Sequence, residues 1–341
     1  MRNKKNKVYV IAEIGINHNG SIKIAKKLID IAKKSGADAV KFQTYLTDKL
    51  VLKKQPLMPY QNKNIKKKIS QFEMLKKSQL NLKQHKDLLK YCKKKKIDFL
   101  SAPYDLKSAK LLINLGLKTI KIASTDVNNL QLIRFLLKKK MNIILSTGCS
   151  GYNEIKEVLK RINFKKYKKK INLLHCISYY PAPIEYLNLK AISTLSNKTG
   201  LNVGFSDHSL SLLSGSFAVM QGANIIEKHI TLNRNYEGPD HKASLLPKEL
   251  FEYIGFIRKA EKSLGDGIKK IERIEKKVKG HMQKSLIVIN DCKKGKIIRN
   301  EDLSSMRPAR GISVIKIDNI IGRKLVRDKN SGEYINWNDF K

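Results

Sequence analysis

The chain has 341 residues, 41% of them hydrophobic, enough for one large core and a smaller second unit. Its formal charge of +41, from 70 Lys and Arg against 29 Asp and Glu, raises nucleic acid or an anionic membrane as a partner. The lysines, however, are spread along nearly every predicted helix, Arg is scarce beside Lys, no nucleic-acid-binding module is present, and no apolar run approaches the ~20 residues of a membrane span. Neither specific nucleic-acid binding nor membrane insertion is expected.

The N-terminal "MRNKKNK" is basic, but it lacks a small-residue cleavage site and leads straight into a strand. Cys92, Cys149, Cys176 and Cys292 form no CxxC pair, so reduced thiols and a cytoplasmic location are expected. Eight short apolar runs then read as strands: "VYVIAEIG", "ADAVKFQT", "IDFLSAPY", "KTIKIAST", "NIILSTG", "INLLHCIS", "NVGFSDHS" and "NIIEKHITL". Amphipathic segments such as "IKIAKKLIDIAKKSGA" and "NLKQHKDLLKYCKKKK" lie between them. Alternating βα units require parallel strands with helical crossovers. Eight units over residues 1–265 match an α/β fold of the (β/α)₈ (TIM) barrel type. A doubly wound open sheet is the competing fold, but no Gly-rich dinucleotide fingerprint follows the first strand.

The stretch from Val51 to Gln79 is longer than an ordinary βα loop and suits a lid or a disordered segment. Residues 266–284 read as a charged linker. From 285 to 341 the pattern changes to short strands and turns, a small β-rich domain of marginal stability by itself.

Strands of a parallel sheet should be apolar throughout. Here each ends in polar residues: Glu13; Lys41 and Gln43; Ser101; Lys121, Ser124 and Asp126; Ser146 and Thr147; His175 and Ser178; Asp207 and His208; Glu227 and His229. A single such residue is often only a helix cap. Eight strands ending this way place a site at the C-terminal mouth of the barrel, where sites of this fold are built. Two strand lysines are costly to bury unpaired. With Ser101, Ser124 and Ser146 they suggest a phosphate–carboxylate site, and ion pairs to Glu13 and Asp126 are the alternative. His208 and His229 end adjacent strands, an arrangement suited to a borderline divalent metal.

The motifs "EIGINHNG", "VKFQT", "KIAS", "ILSTG", "LLHC…YPAP", "GFSDHS", "EKH" and "GPDHKAS" resemble the sialic acid (nonulosonate) synthase family. The segment "RPARGIS…IGRKLVRD" resembles that family's C-terminal SAF, or antifreeze-like, domain. The resemblance implies condensation of phosphoenolpyruvate with an N-acylated hexosamine and release of phosphate. It places N-acetylmannosamine first as substrate, giving N-acetylneuraminic acid. The alternative is 2,4-diacetamido-2,4,6-trideoxymannose, giving legionaminic acid.

It further implies a divalent metal on His208 and His229, Mn²⁺ before Mg²⁺ or Co²⁺. Glu13 becomes the acid/base, and Lys41, Lys121, Ser124 and Ser146 receive phosphoenolpyruvate. Gln43, Asp126, Tyr180 and Asp240 contact the sugar. Arg307 reaches over from a partner subunit, making a domain-swapped homodimer. Three positions depart from the commonest pattern: Ala102 where Thr is frequent, Ser178 where some members have Asn, and Asp126 in place of a common Glu.

Overall fold

The computed structural model describes residues 7–65 and 69–341, apart from the Lys63 side chain. Most of the basic N-terminal stretch therefore lies outside the described residues. All eight apolar runs form strands: β1 Tyr9–Gly15, β2 Ala39–Thr44, β3 Asp98–Pro103, β4 Thr119–Ile122, β5 Asn142–Ser146, β6 Ile171–Cys176, β7 Asn202–Asp207 and β8 Ile225–His229. They pair in parallel in the order β3-β2-β1-β8-β7-β6-β5-β4, and β4 packs beside β3 to close the ring. This is the eight-stranded barrel, with helices outside.

The helices form where apolar residues recur at helical spacing and a polar residue caps the start. Ser21 Oγ accepts from the Ile24 amide ahead of the helix Ile22–Lys34. Asn81 and Gln84 form a reciprocal capping box at the start of Leu82–Lys95. The apolar faces of these helices pack on outward residues such as Val10, Val40, Phe42, Ile120, Ile143, Leu173, Phe205 and Ile226 to make the main core. A smaller apolar layer fills the barrel interior: Ile11, Ala39, Leu100, Ile144, Leu174 and Ile225.

Period-two alternation now fixes what comes above that layer. Two residues further along the same strands stand Glu13, Lys41, Ala102, Ser146, Cys176 and Glu227. The barrel interior therefore changes from hydrocarbon to charge in a single step toward the C-terminal mouth.

The long segment after β2 is ordered where it is described. It holds short helices at Thr47–Leu50, Pro59–Asn64 and Gln71–Ser78. Leu57, Ile65, Met74 and Leu75 form a separate apolar cluster with Ile16 and Tyr45 from the barrel. Asn64 Nδ2 donates to the Pro239 carbonyl at 2.7 Å, which ties this segment to the loop after β8.

The chain divides into two compact units at Gly265. The stretch expected as a linker contains the helix Arg273–Met282. In the second unit, β9 (Ser285–Val288) pairs antiparallel with β10 (Leu303–Met306). Its core is Leu286, Val288, Ile298, Ile312, Ile320, Leu325 and Ile335. No helix among the described residues is long and apolar enough to cross a membrane.

Candidate active site

The charged layer is built around one shared carboxylate. Glu227 Oε2 is 3.5 Å from Lys41 Nζ, and Glu227 Oε1 is 3.6 Å from Lys121 Nζ. Lys41 also lies 3.2 Å from Glu13 Oε2, and Lys121 donates to Ser146 Oγ at 2.6 Å. Neither lysine is unpaired, and Asp126 is not the partner of either. Asp126 instead accepts from Asn129 Nδ2 at 2.8 Å.

All four charged side chains are buried. Burial alone would raise Glu227, but the two ammoniums hold it at about 2. Burial lifts Glu13 to about 7 although Lys41 opposes the rise. Burial lowers Lys121, while Lys41 ends above its ordinary value because Glu13 and Glu227 outweigh its burial. Two cations thus face one firmly ionised carboxylate and a second poised near neutrality. Whenever Glu13 is protonated the layer is net positive, which suits an anion.

One strand step further out lie the imidazoles. The His208 and His229 rings are 5.5 Å apart between centroids. His208 Nδ1 donates to the Ile177 carbonyl at 2.8 Å, so in the neutral ring the lone pair sits on Nε2. His229 Nδ1 is buried with no hydrogen-bond partner. Burial, with His208 and Lys41 adding to it, drives His229 well below the ordinary imidazole value, so it is neutral. A neutral imidazole with an orphaned nitrogen beside another with a free Nε2 fits a divalent cation. Among the described residues no group of three His, Cys, Asp or Glu side chains is arranged to hold a metal ion.

Tyr180 stacks on His208 with centroids 4.1 Å apart, and Tyr60 stacks on Tyr180 at 5.2 Å. Asp240 is buried nearby, and burial raises its carboxyl to about 6. Ser124 Oγ accepts from the Gly148 amide at 3.0 Å. A Cβ on Gly148 would stand 2.8 Å from Ser124 Oγ and collide with Ser178 Oγ, so this close approach needs glycine. Gln43 and Ser178 reach the same mouth, on inward positions of β2 and just past β6.

Ser101 is a correction. It follows the inward Leu100 and so points outward. Its hydroxyl is 3.0 Å from the Phe42 carbonyl and 2.6 Å from Thr44 Oγ1, which in turn contacts His85 Nε2 of a barrel helix. The inward position on β3 belongs to Ala102, which brings no hydroxyl. The other strand-end histidine, His175, also points outward, with Nε2 2.7 Å from the Leu187 carbonyl. Arg307 lies in the second unit, just past β10.

Glu227 and Ser206 enter the site without a role in the sequence reading. Ser206 Oγ donates to Glu227 Oε1 at 2.9 Å. Each stands two residues before an inward histidine, so alternation in "SDH" and "EKH" is the signal that finds them. Tyr60 is the other addition: it lies in the long segment after β2, and its ring stacks on Tyr180.

A model of the NeuB family matches residues 28–269, and a model of the SAF domain matches residues 283–341. The chain is 43% identical over 330 residues to the N,N'-diacetyllegionaminic acid synthase of Campylobacter jejuni, covering 96% of this chain and 99% of that protein. It is 39% identical over 332 residues to the enzyme of the same name from Legionella pneumophila, covering 96% and 93%. Among solved structures, the N-acetylneuraminic acid (sialic acid) synthetase of Leptospira borgpetersenii in complex with citrate superposes with a TM-score of 0.70 at 33% identity, over 80% of this chain and 90% of that one. The family match spans most of the barrel and the relatives align nearly end to end: this chain belongs to the NeuB family and carries a C-terminal SAF domain.

Proposed function

We propose that the protein is a phosphoenolpyruvate-dependent nonulosonic acid synthase acting on 2,4-diacetamido-2,4,6-trideoxymannose to give N,N'-diacetyllegionaminic acid. The observation that carries the reaction is the stacking of two layers at one barrel mouth, a lysine pair beneath an imidazole pair. The sugar rests on the two legionaminic acid synthases at 43% and 39% identity. This reverses the order held from sequence alone. N-acetylmannosamine is the second reading, supported by the Leptospira structure at 33% identity. Phosphoenolpyruvate as co-substrate accords with a cytoplasmic enzyme.

In this reading Lys41 and Lys121 hold the phosphate and carboxylate of phosphoenolpyruvate, with Ser124 and Ser146 donating hydrogen bonds. Carbon 3 of phosphoenolpyruvate attacks the aldehyde carbon of the open-chain sugar. Water then adds at carbon 2, and phosphate leaves. Glu13, poised near neutrality, holds or releases a proton at its carboxylate beside the reacting carbons. His208 and His229 hold a divalent cation, Mn²⁺ first and Mg²⁺ or Co²⁺ next, whose contribution when bound is Lewis-acid polarisation of the aldehyde. Tyr180, Gln43, Asp126, Ser178 and Asp240 orient the sugar. The Tyr60–Tyr180 stack adds an apolar wall suited to a deoxy carbon and acetamido methyl groups.

The test is kcat/KM for both sugars at fixed phosphoenolpyruvate and Mn²⁺. The diacetamido sugar is expected to win by ~100-fold or more, about 2.7 kcal/mol in transition-state binding. Equal or better use of N-acetylmannosamine overturns the substrate assignment, and phosphate release with neither sugar overturns the reaction.

A domain-swapped homodimer is part of the same proposal, with Arg307 gripping the sugar across chains. Heterodimers of an Arg307→Ala chain and a His208→Ala chain should regain part of the activity that each homodimer lacks. Verified heterodimers with none would place Arg307 in its own chain's site and exclude sharing across chains.

A further inference from the structure

His208 and His229 each follow a residue that the reaction does not use. Asp207 precedes the first and Lys228 the second, and alternation turns both to the outer face of the barrel wall. There they are register partners across β7 and β8. Lys228 Nζ lies 2.8 Å from Asp207 Oδ2, and both side chains are 0% exposed.

The carboxylate is fully engaged. Tyr253 Oη and Ser214 Oγ donate to Oδ2 at 2.8 and 2.5 Å, and the Ser209 amide and hydroxyl donate to Oδ1 at 2.9 and 2.7 Å. Lys228 also donates to the Ser209 carbonyl. Tyr253 reaches the pair from the helix Pro247–Ser263 by passing over Gly215, where a Cβ would stand 2.5 Å from the phenol carbon and oxygen.

A buried ion pair of this kind is poor evidence for stability, because desolvation offsets most of the attraction. What it does impose is registry. It pins two strands at the single residue step below two imidazoles whose separation must suit one cation. We propose that the Asp207–Lys228 pair, locked by Tyr253, positions His208 and His229 for divalent metal binding. These are positioning residues: they touch neither substrate nor metal. The inference rests on the reading of His208 and His229 as the cation's ligands.

The test titrates Mn²⁺ alone into full-length protein and reads free Mn²⁺ by electron paramagnetic resonance, with metal-free thermal melting alongside. An Asp207→Leu/Lys228→Met double variant removes both charges together, so no lone charge stays buried. It should melt below the wild type, because four buried donors lose their acceptor, and the folded protein should bind Mn²⁺ ~10-fold or more weakly, the scale typical of outer-shell changes at metal sites. Tyr253→Phe removes one hydrogen bond without changing the packing, and should weaken binding by a smaller factor. If the double variant does not fold, Tyr253→Phe carries the test by itself. Folded variants with wild-type Mn²⁺ affinity overturn the inference and leave the metal assignment standing. A wild-type protein that binds no Mn²⁺ overturns the metal assignment, and this inference with it.

Discussion

Replacing His229 by alanine is expected to lower kcat/KM by about 10³-fold or more, about 4 kcal/mol of transition-state stabilisation, while the barrel stays folded. His229 offers a neutral imidazole with a buried nitrogen that bonds to nothing in the protein. The substitution therefore breaks no internal hydrogen bond at that atom, and the cost in stability is that of a small polar cavity. Alanine at His208 should do the same to activity but cost more in folding, because its Nδ1 holds the Ile177 carbonyl. Circular dichroism and thermal melting check the fold, and initial rates with and without a chelator check the dependence on metal. Full activity in chelated enzyme, with no gain on adding Mn²⁺, would refute the assignment.

Lys121→Met is expected to reduce kcat/KM for phosphoenolpyruvate by about 10³-fold, nearly all of it through weaker binding and poorer stabilisation of the departing phosphate. Removing one partner of a buried ion pair usually costs 3–5 kcal/mol in stability. Here the loss should be smaller, because Glu227 keeps Lys41 at 3.5 Å and the Ser206 hydroxyl at 2.9 Å. Methionine fills a similar volume. Calorimetric titration with phosphoenolpyruvate separates the binding loss from chemistry. A variant that melts normally and binds phosphoenolpyruvate as tightly as the wild type would remove Lys121 from the anion site.

The architecture and most of the site were legible because they depend on local rules. Strand runs, crossover helices and the drift from apolar to polar at each strand end are all visible in one dimension. Ser101 shows where that reading stops. A serine near a strand end suggests a site residue, but one residue of phase turns it outward to Thr44. The same phase rule, applied to "EKH", would have given Glu227 a place beside the lysines. Glu13 as a partner of Lys41 was legible, but Glu227, which both lysines share, was not, since it comes from β8, far away in the chain. The stacking of Tyr60 on Tyr180 was not legible either, since it depends on how the segment after β2 folds back.

That segment has its own small apolar cluster, separate from the layer that fills the barrel. Residues that share no neighbours change independently. Conservative repacking of Leu57, Ile65, Met74 and Leu75 therefore leaves the layer that fills the barrel untouched, and its path to the imidazoles runs through Tyr60 and Tyr180. The segment after β2 is thus an annex to the barrel, joined to its mouth by the Tyr60–Tyr180 stack and by the Asn64 bond to the Pro239 carbonyl.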